Sequence, residues 1–174
     1  ELDGGSLDDE QLKLDMGDMG EFAYGESNSG YGIDIASNMV PAVDTAIYSA
    51  VGTDTVSYGV ARSAQDTGNL GYKLALDGGI TVSVEAARNT TAGGTDNTYG
   101  VTYTGIDGLT VGMAAGEDNT SSTAGIDITN MYVKYAMDAF TVGYQASEAD
   151  SETANADKDF TAVGISYAID RKST

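Results

Sequence analysis

Apolar and small or polar residues alternate along most of the chain, with the period of two expected of strands that have two unlike faces. Leu70, Tyr72, Leu74 and Leu76 share one parity, while Gly71, Lys73 and Ala75 share the other. Ile80, Val82 and Val84 oppose Thr81, Ser83 and Glu85, and Tyr99, Val101 and Tyr103 oppose Thr98, Gly100 and Thr102. The same alternation runs through 109–115, 129–137, 140–149 and 159–169, and in the first third through 11–16, 21–26, 43–50 and 55–63. With 70–76, 79–89 and 97–106 this predicts eleven strands.

The connections are of two kinds. Tight turns are predicted around Asp77-Gly78, Asp107-Gly108 and Asp138-Ala139, while longer polar loops are predicted at 90–96, 117–127 and 150–159. Short turns then lie at one end of the sheet and loops at the other. A Tyr, an acidic turn and a Thr-Val strand start recur about every 31 residues, as in "YTGIDGLTVGM" and "YAMDAFTVGY". The repeating unit is a hairpin plus one loop, in an antiparallel up-and-down meander. One insertion interrupts it, 27–42, "SNSGYGIDIASNMVPA", which holds the single proline.

The two faces indicate where such a sheet resides. A soluble sandwich turns long charged side chains outward. Here the second face is mainly Thr, Ser, Gly, Ala and Asn, which suits a water-filled interior, with the Val/Tyr/Leu/Met face against lipid. Predicted strands of about 7–11 residues are near the roughly 9–11 that a tilted strand needs to cross a bilayer. Tyr103, Tyr135, Tyr167 and Phe140 fall close to the short turns, where an interfacial aromatic girdle would lie. The rival reading makes them cross-strand aromatics of a soluble meander.

Composition narrows the function. The 174 residues include 23 Gly and 11 Tyr but no Cys, His or Trp. Eight basic residues against 27 acidic ones leave a net charge of −19, which excludes a nucleic-acid partner. No apolar run is long enough for a spanning helix. Without Cys or His there is no common nucleophile–base pair and no His-based metal site, so no enzyme is expected. The acidic loops "GEDNTSSTAGID" and "DSETANADKD" lack EF-hand spacing, which leaves at most an incidental Ca²⁺ or Mg²⁺ site and no cofactor.

The hairpins "DNTYGVTYTGIDGLTVGMAAGE" and "ITNMYVKYAMDAFTVGYQASE", with the ending "FTAVGISYAID", resemble Gram-negative outer-membrane general porins across nearly the whole chain. The resemblance implies a sixteen-stranded antiparallel transmembrane barrel, a homotrimer in outer-membrane lipid, and passive diffusion of small hydrophilic solutes and ions. It also implies a loop folded into the channel, with acidic residues facing basic residues on the wall. The insertion 27–42 stands where that loop would be. Glu26, Asp34 and Asp44 are then candidates for the acidic side of a constriction. Lys13, Lys73 and Lys134, accompanied by Glu85, are candidates on the small-polar face. Eleven strands do not close the family's barrel and no closing strand ends the chain. Residues 1–174 are therefore expected to be one incomplete barrel domain, an internal portion of a longer chain. The alternative function is an acidic β-rich surface-layer or adhesin module with bound calcium.

Overall fold

The computed structural model describes residues 11–25, 30–36, 39–41, 69–88, 95–121, 124–152 and 157–168. They form a single antiparallel sheet of nine strands whose spatial order is their order in sequence. The strands are β1 (Gln11–Asp15), β2 (Glu21–Gly25), β3 (Asn69–Leu76), β4 (Ile80–Arg88), β5 (Thr95–Ile106), β6 (Leu109–Ser121), β7 (Ala124–Met137), β8 (Phe140–Ser151) and β9 (Lys158–Tyr167). No helix among the described residues is long and apolar enough to cross a membrane, which has no bearing on crossing by strands.

The short turns gather at one end, as the sequence predicts. Gly78, Gly79 and Gly108 adopt positive φ, the backbone state that a tight hairpin demands and glycine accepts without strain. In the β7–β8 turn the same state falls on Asp138, at φ 51°, and aspartate tolerates it better than most residues.

Two expectations change. The predicted strands 43–50 and 55–63 lie outside the described residues, yet β2 pairs directly with β3, Glu21 opposite Lys73 and Ala23 opposite Gly71. No strand from that stretch stands between them. The described residues hold nine strands where eleven are predicted over the whole chain, and residues 26–68 lie between β2 and β3 in sequence. Alternation alone could not reveal this, because it marks a sided segment and not its sheet neighbour. The predicted loop 117–127 is also largely paired backbone: Glu117 stands opposite Asp127 and Asn119 opposite Gly125. Polar side chains do not by themselves end a strand, since each further backbone pair is satisfied by continuing the ladder.

Register fixes the slant of the strands. Tyr103 pairs with Val111, and Val111 with Val133 on β7. Tyr135 lies two positions beyond Val133 toward the short turns, and Tyr167 lies two beyond Ile165 by the route Tyr135–Val142–Ile165. Equivalent residues therefore step one position per strand. With a rise of about 3.3 Å per residue and about 4.8 Å between strands, that step corresponds to a slant of about 35°. Transmembrane barrels tilt their strands by about 35–45°.

The two faces meet very different surroundings. On the apolar face Leu12, Tyr24, Tyr99, Met113, Val133, Tyr135 and Ile165 are all exposed, and nothing among the described residues covers them. On the small-polar face Ala23, Ser83, Thr98, Asn130, Tyr132 and Gln145 are buried. What buries them is the connection between β2 and β3.

Candidate functional site

Residues 30–36 and 39–41 lie across the polar face as a strap, containing a short 3-10 turn at Gly32–Ala36. Within it Tyr31, Ile33 and Ala36 are fully buried. Glycines on the wall make the room. A Cβ on Gly71 of β3 would lie 2.7 Å from the Tyr31 ring, and one on Gly100 of β5 would lie 2.6 Å from Ile35. At the far end a Cβ on Gly143 of β8 would lie 2.7 Å from Pro41, and Gly164 of β9 sits against Val40 and Pro41. The strap thus touches the wall from β3 to β9, crossing successive strands.

Polar wall residues hold its backbone. The Gly32 N–H donates to Ser83 Oγ at 2.8 Å, and the Ile33 N–H donates to Thr98 Oγ1 at 3.1 Å. Farther on, the Met39 N–H donates to Gln145 Oε1 at 3.2 Å. Between these anchors Ile33 and Ala36 join Ala114, Ile128 and Tyr132 in a small apolar cluster. Loop amides pressed against a sheet need such acceptors, since a buried donor left unpaired costs about 1–3 kcal/mol. Threonine, serine and glutamine on this face therefore serve as fastening points for a loop as well as a polar lining.

The near end of the strap is charged. Tyr31 donates its hydroxyl hydrogen to Glu21 Oε1. Lys73 Nζ lies 3.5 Å from the same carboxylate oxygen and 4.8 Å from the centre of the Tyr31 ring. Lys13 Nζ lies 5.5 Å from that centre. Burial pushes the Tyr31 phenol well above the ordinary tyrosine value of 10.0, and its bond to Glu21 adds to the rise.

Of the predicted site residues, Lys13, Lys73, Glu85 and Lys134 all belong to the strap-bearing face. Lys13 and Lys73 come together at Tyr31. Glu85 is buried directly under the strap, where a Cβ on Gly32 would lie 2.8 Å from its own Cβ. Lys134 is half-buried on β7 beside Gly143, the glycine under Pro41. Register also sets the three lysines at one level: Lys13 pairs through Ala23 to Gly71, two positions short of Lys73. Lys73 likewise leads through Ser83, Gly100 and Ala114 to Asn130, four positions short of Lys134 over four strands. The offset is again one residue per strand. Asp34 accepts the Gly30 N–H at 2.6 Å and so closes the start of the strap. Glu26 and Asp44 lie outside the described residues.

Tyr103, Tyr135 and Tyr167 step across the apolar face as described, and the rings of Phe140 and Tyr167 stand 4.6 Å apart between centres. Glu21, Tyr31 and Tyr132 were not among the predicted site residues. Tyr132 carries the small-face parity in "MYVKYAM", an aromatic on a face made mainly of small and polar residues, and that was its available signal. Tyr31 had only the flanking glycines of "SGYG".

Among the described residues no group of acids is arranged to hold a metal ion. No curated protein and no solved structure matched the chain. A protein family described as Gram-negative porin matches residues 3–174. Its span covers the whole sheet and the strap, and the chain belongs to the Gram-negative porins, β-barrel channel proteins of the outer membrane.

Proposed function

We propose that the protein is a passive diffusion channel for small hydrophilic solutes and ions, in which the strap narrows the passage. The observation that carries this reading is the contrast between the faces. A loop is seated on the polar side, while Tyr, Val and Ile side chains stand bare on the other. An exposed apolar face of this extent is stable against hydrocarbon and a liability in water. The strap lies against the wall from β3 to β9, which removes cross-section without removing the wetted surface beyond it.

Tyr103, Tyr135, Tyr167 and Phe140 act as the interfacial girdle at the short-turn end. Lys13, Lys73 and Lys134 form the basic side of the passage, and the acid excess of the chain gives a mild overall preference for cations. The barrels associate as homotrimers, with closure of the wall supplied beyond β1 and β9, since open edges in lipid would leave backbone groups unpaired.

Conductance of the full-length protein in planar bilayers tests the reading. Discrete, ion-selective current steps are the expected result. A folded, inserted protein that carries no current would refute it. If instead the protein were folded without detergent and lost stability on chelation, the calcium-binding surface-module alternative would replace it.

A further inference from the structure

We propose that Tyr31 is a specificity-determining residue of the channel: its ring and hydroxyl mask the positive charge of Lys13 and Lys73 and so weaken the attraction of that wall for anions. The inference rests on the diffusion-channel reading above.

The geometry supports it at three points. The ring lies against β3 at Gly71, with the Nζ atoms of Lys73 and Lys13 at 4.8 and 5.5 Å from its centre. An aromatic face is electronegative and attracts an ammonium group held at that range. The hydroxyl binds Glu21, whose carboxylate also pairs with Lys73 at 3.5 Å. One neutral side chain of the strap thus ties down two cations and one anion of β1, β2 and β3. Two of the three lysines expected as constriction candidates on the small-polar face are turned toward the strap. Lys134, at the same level on β7, lies near Pro41 and outside this arrangement.

Without the ring, Lys13, already exposed on β1, loses its aromatic partner, and Lys73 keeps only its pairing with Glu21. A unit charge some 7 Å from a passing ion in water is worth about one RT, before screening that is only partial at about 0.1 M salt. The ratio of anion to cation permeability should therefore rise roughly twofold.

Reversal potentials of the full-length protein in planar bilayers under a KCl gradient provide the test. Tyr31→Ala removes the ring, and Tyr31→Leu removes the hydroxyl and the aromatic face while filling much of the space. Both are expected to shift selectivity toward anions by about twofold. The shift should vanish when Lys13→Gln and Lys73→Gln are added. It should appear while the amide of Met39, which donates to Gln145 Oε1, exchanges at its wild-type rate, so that the far end of the strap has kept its seat. Conducting Tyr31 variants with wild-type selectivity would overturn the proposal. So would a shift that survives loss of both lysines, or one accompanied by faster exchange at Met39, which would reflect displacement of the strap. A wild-type protein without current would instead defeat the channel reading and this inference together.

Discussion

Gly71 lies directly beneath the ring of Tyr31, so close that a single methyl group on its Cα would stand 2.7 Å from the ring carbon Cγ. A gap of that size is not an ordinary contact, and either the ring or the strand would have to move. Gly71→Ala is therefore expected to lift the near end of the strap. Overpacking of this kind costs about 1–3 kcal/mol. Urea unfolding of the lipid-inserted protein would measure the loss, and single-channel current should fall because the strap is pushed into the passage.

The fastening of the strap to the polar face gives a second expectation. Ser83 Oγ accepts the buried Gly32 N–H. Ser83→Ala leaves that donor without its acceptor, at a cost of about 1–3 kcal/mol. Hydrogen exchange at the amides of Gly32 and Ile33 should accelerate, whereas exchange in β7 and β8 should not change. Equal exchange in wild type and variant would show that the serine does not hold the strap.

The bare face predicts a sharp asymmetry between adjacent positions. Val133 is exposed on the apolar side of β7, and its neighbour Lys134 is half-buried on the other. Val133→Lys places a charge where hydrocarbon is expected and should destabilise the inserted protein by about 2–4 kcal/mol if the position is near midplane. Val133→Leu should be close to neutral. Lys134→Ala should leave stability nearly unchanged while altering selectivity. Equilibrium unfolding in vesicles would separate the three.

Alkaline titration should single out Tyr31. Its folded-state phenol titrates above the ordinary value of 10.0, with Glu21 on β2 and Lys13 and Lys73 on β1 and β3 as the charged groups facing it. Above pH 10 the folded protein keeps this proton while the unfolded chain has lost it. The unfolded state then binds fewer protons, so stability falls as pH rises. The contribution of Tyr31 is thus complete below pH 10 and is lost on going higher. Absorbance at the tyrosinate band should show Tyr31 ionising later than the exposed tyrosines, and Tyr31→Phe should diminish the late step and reduce the alkaline loss of stability.

The strands themselves were legible from residue order. Leu70 to Leu76 against Gly71 to Ala75, or Met131 to Met137 against Asn130 to Ala136, is a pattern that can be satisfied only by a sheet with two different environments. The turn residues Asp77-Gly78 and Asp107-Gly108 fixed the hairpins, since few residues accept the backbone state required there. Lys13, Lys73, Glu85 and Lys134 were assigned the correct face by parity alone. The stretch 43–63 also alternates, and the same rule led there to a wall position that direct pairing of β2 with β3 excludes.

The strap's seat was not legible, because contacts between a loop and a distant wall are set by no local period. Tyr31 meets Gly71 across 40 positions of the chain, Ile33 meets Thr98 across 65, and Met39 meets Gln145 across 106. Sequence by itself determined which side chains face hydrocarbon and which face the polar side, because a strand's two-residue period leaves no other choice. Only the tertiary structure decided that a strap covers the polar side, that glycines give it room, and that Tyr31 gathers two lysines and a glutamate. Those outcomes depend on which strands become neighbours and on the slant of the sheet, and neither is encoded in any one segment.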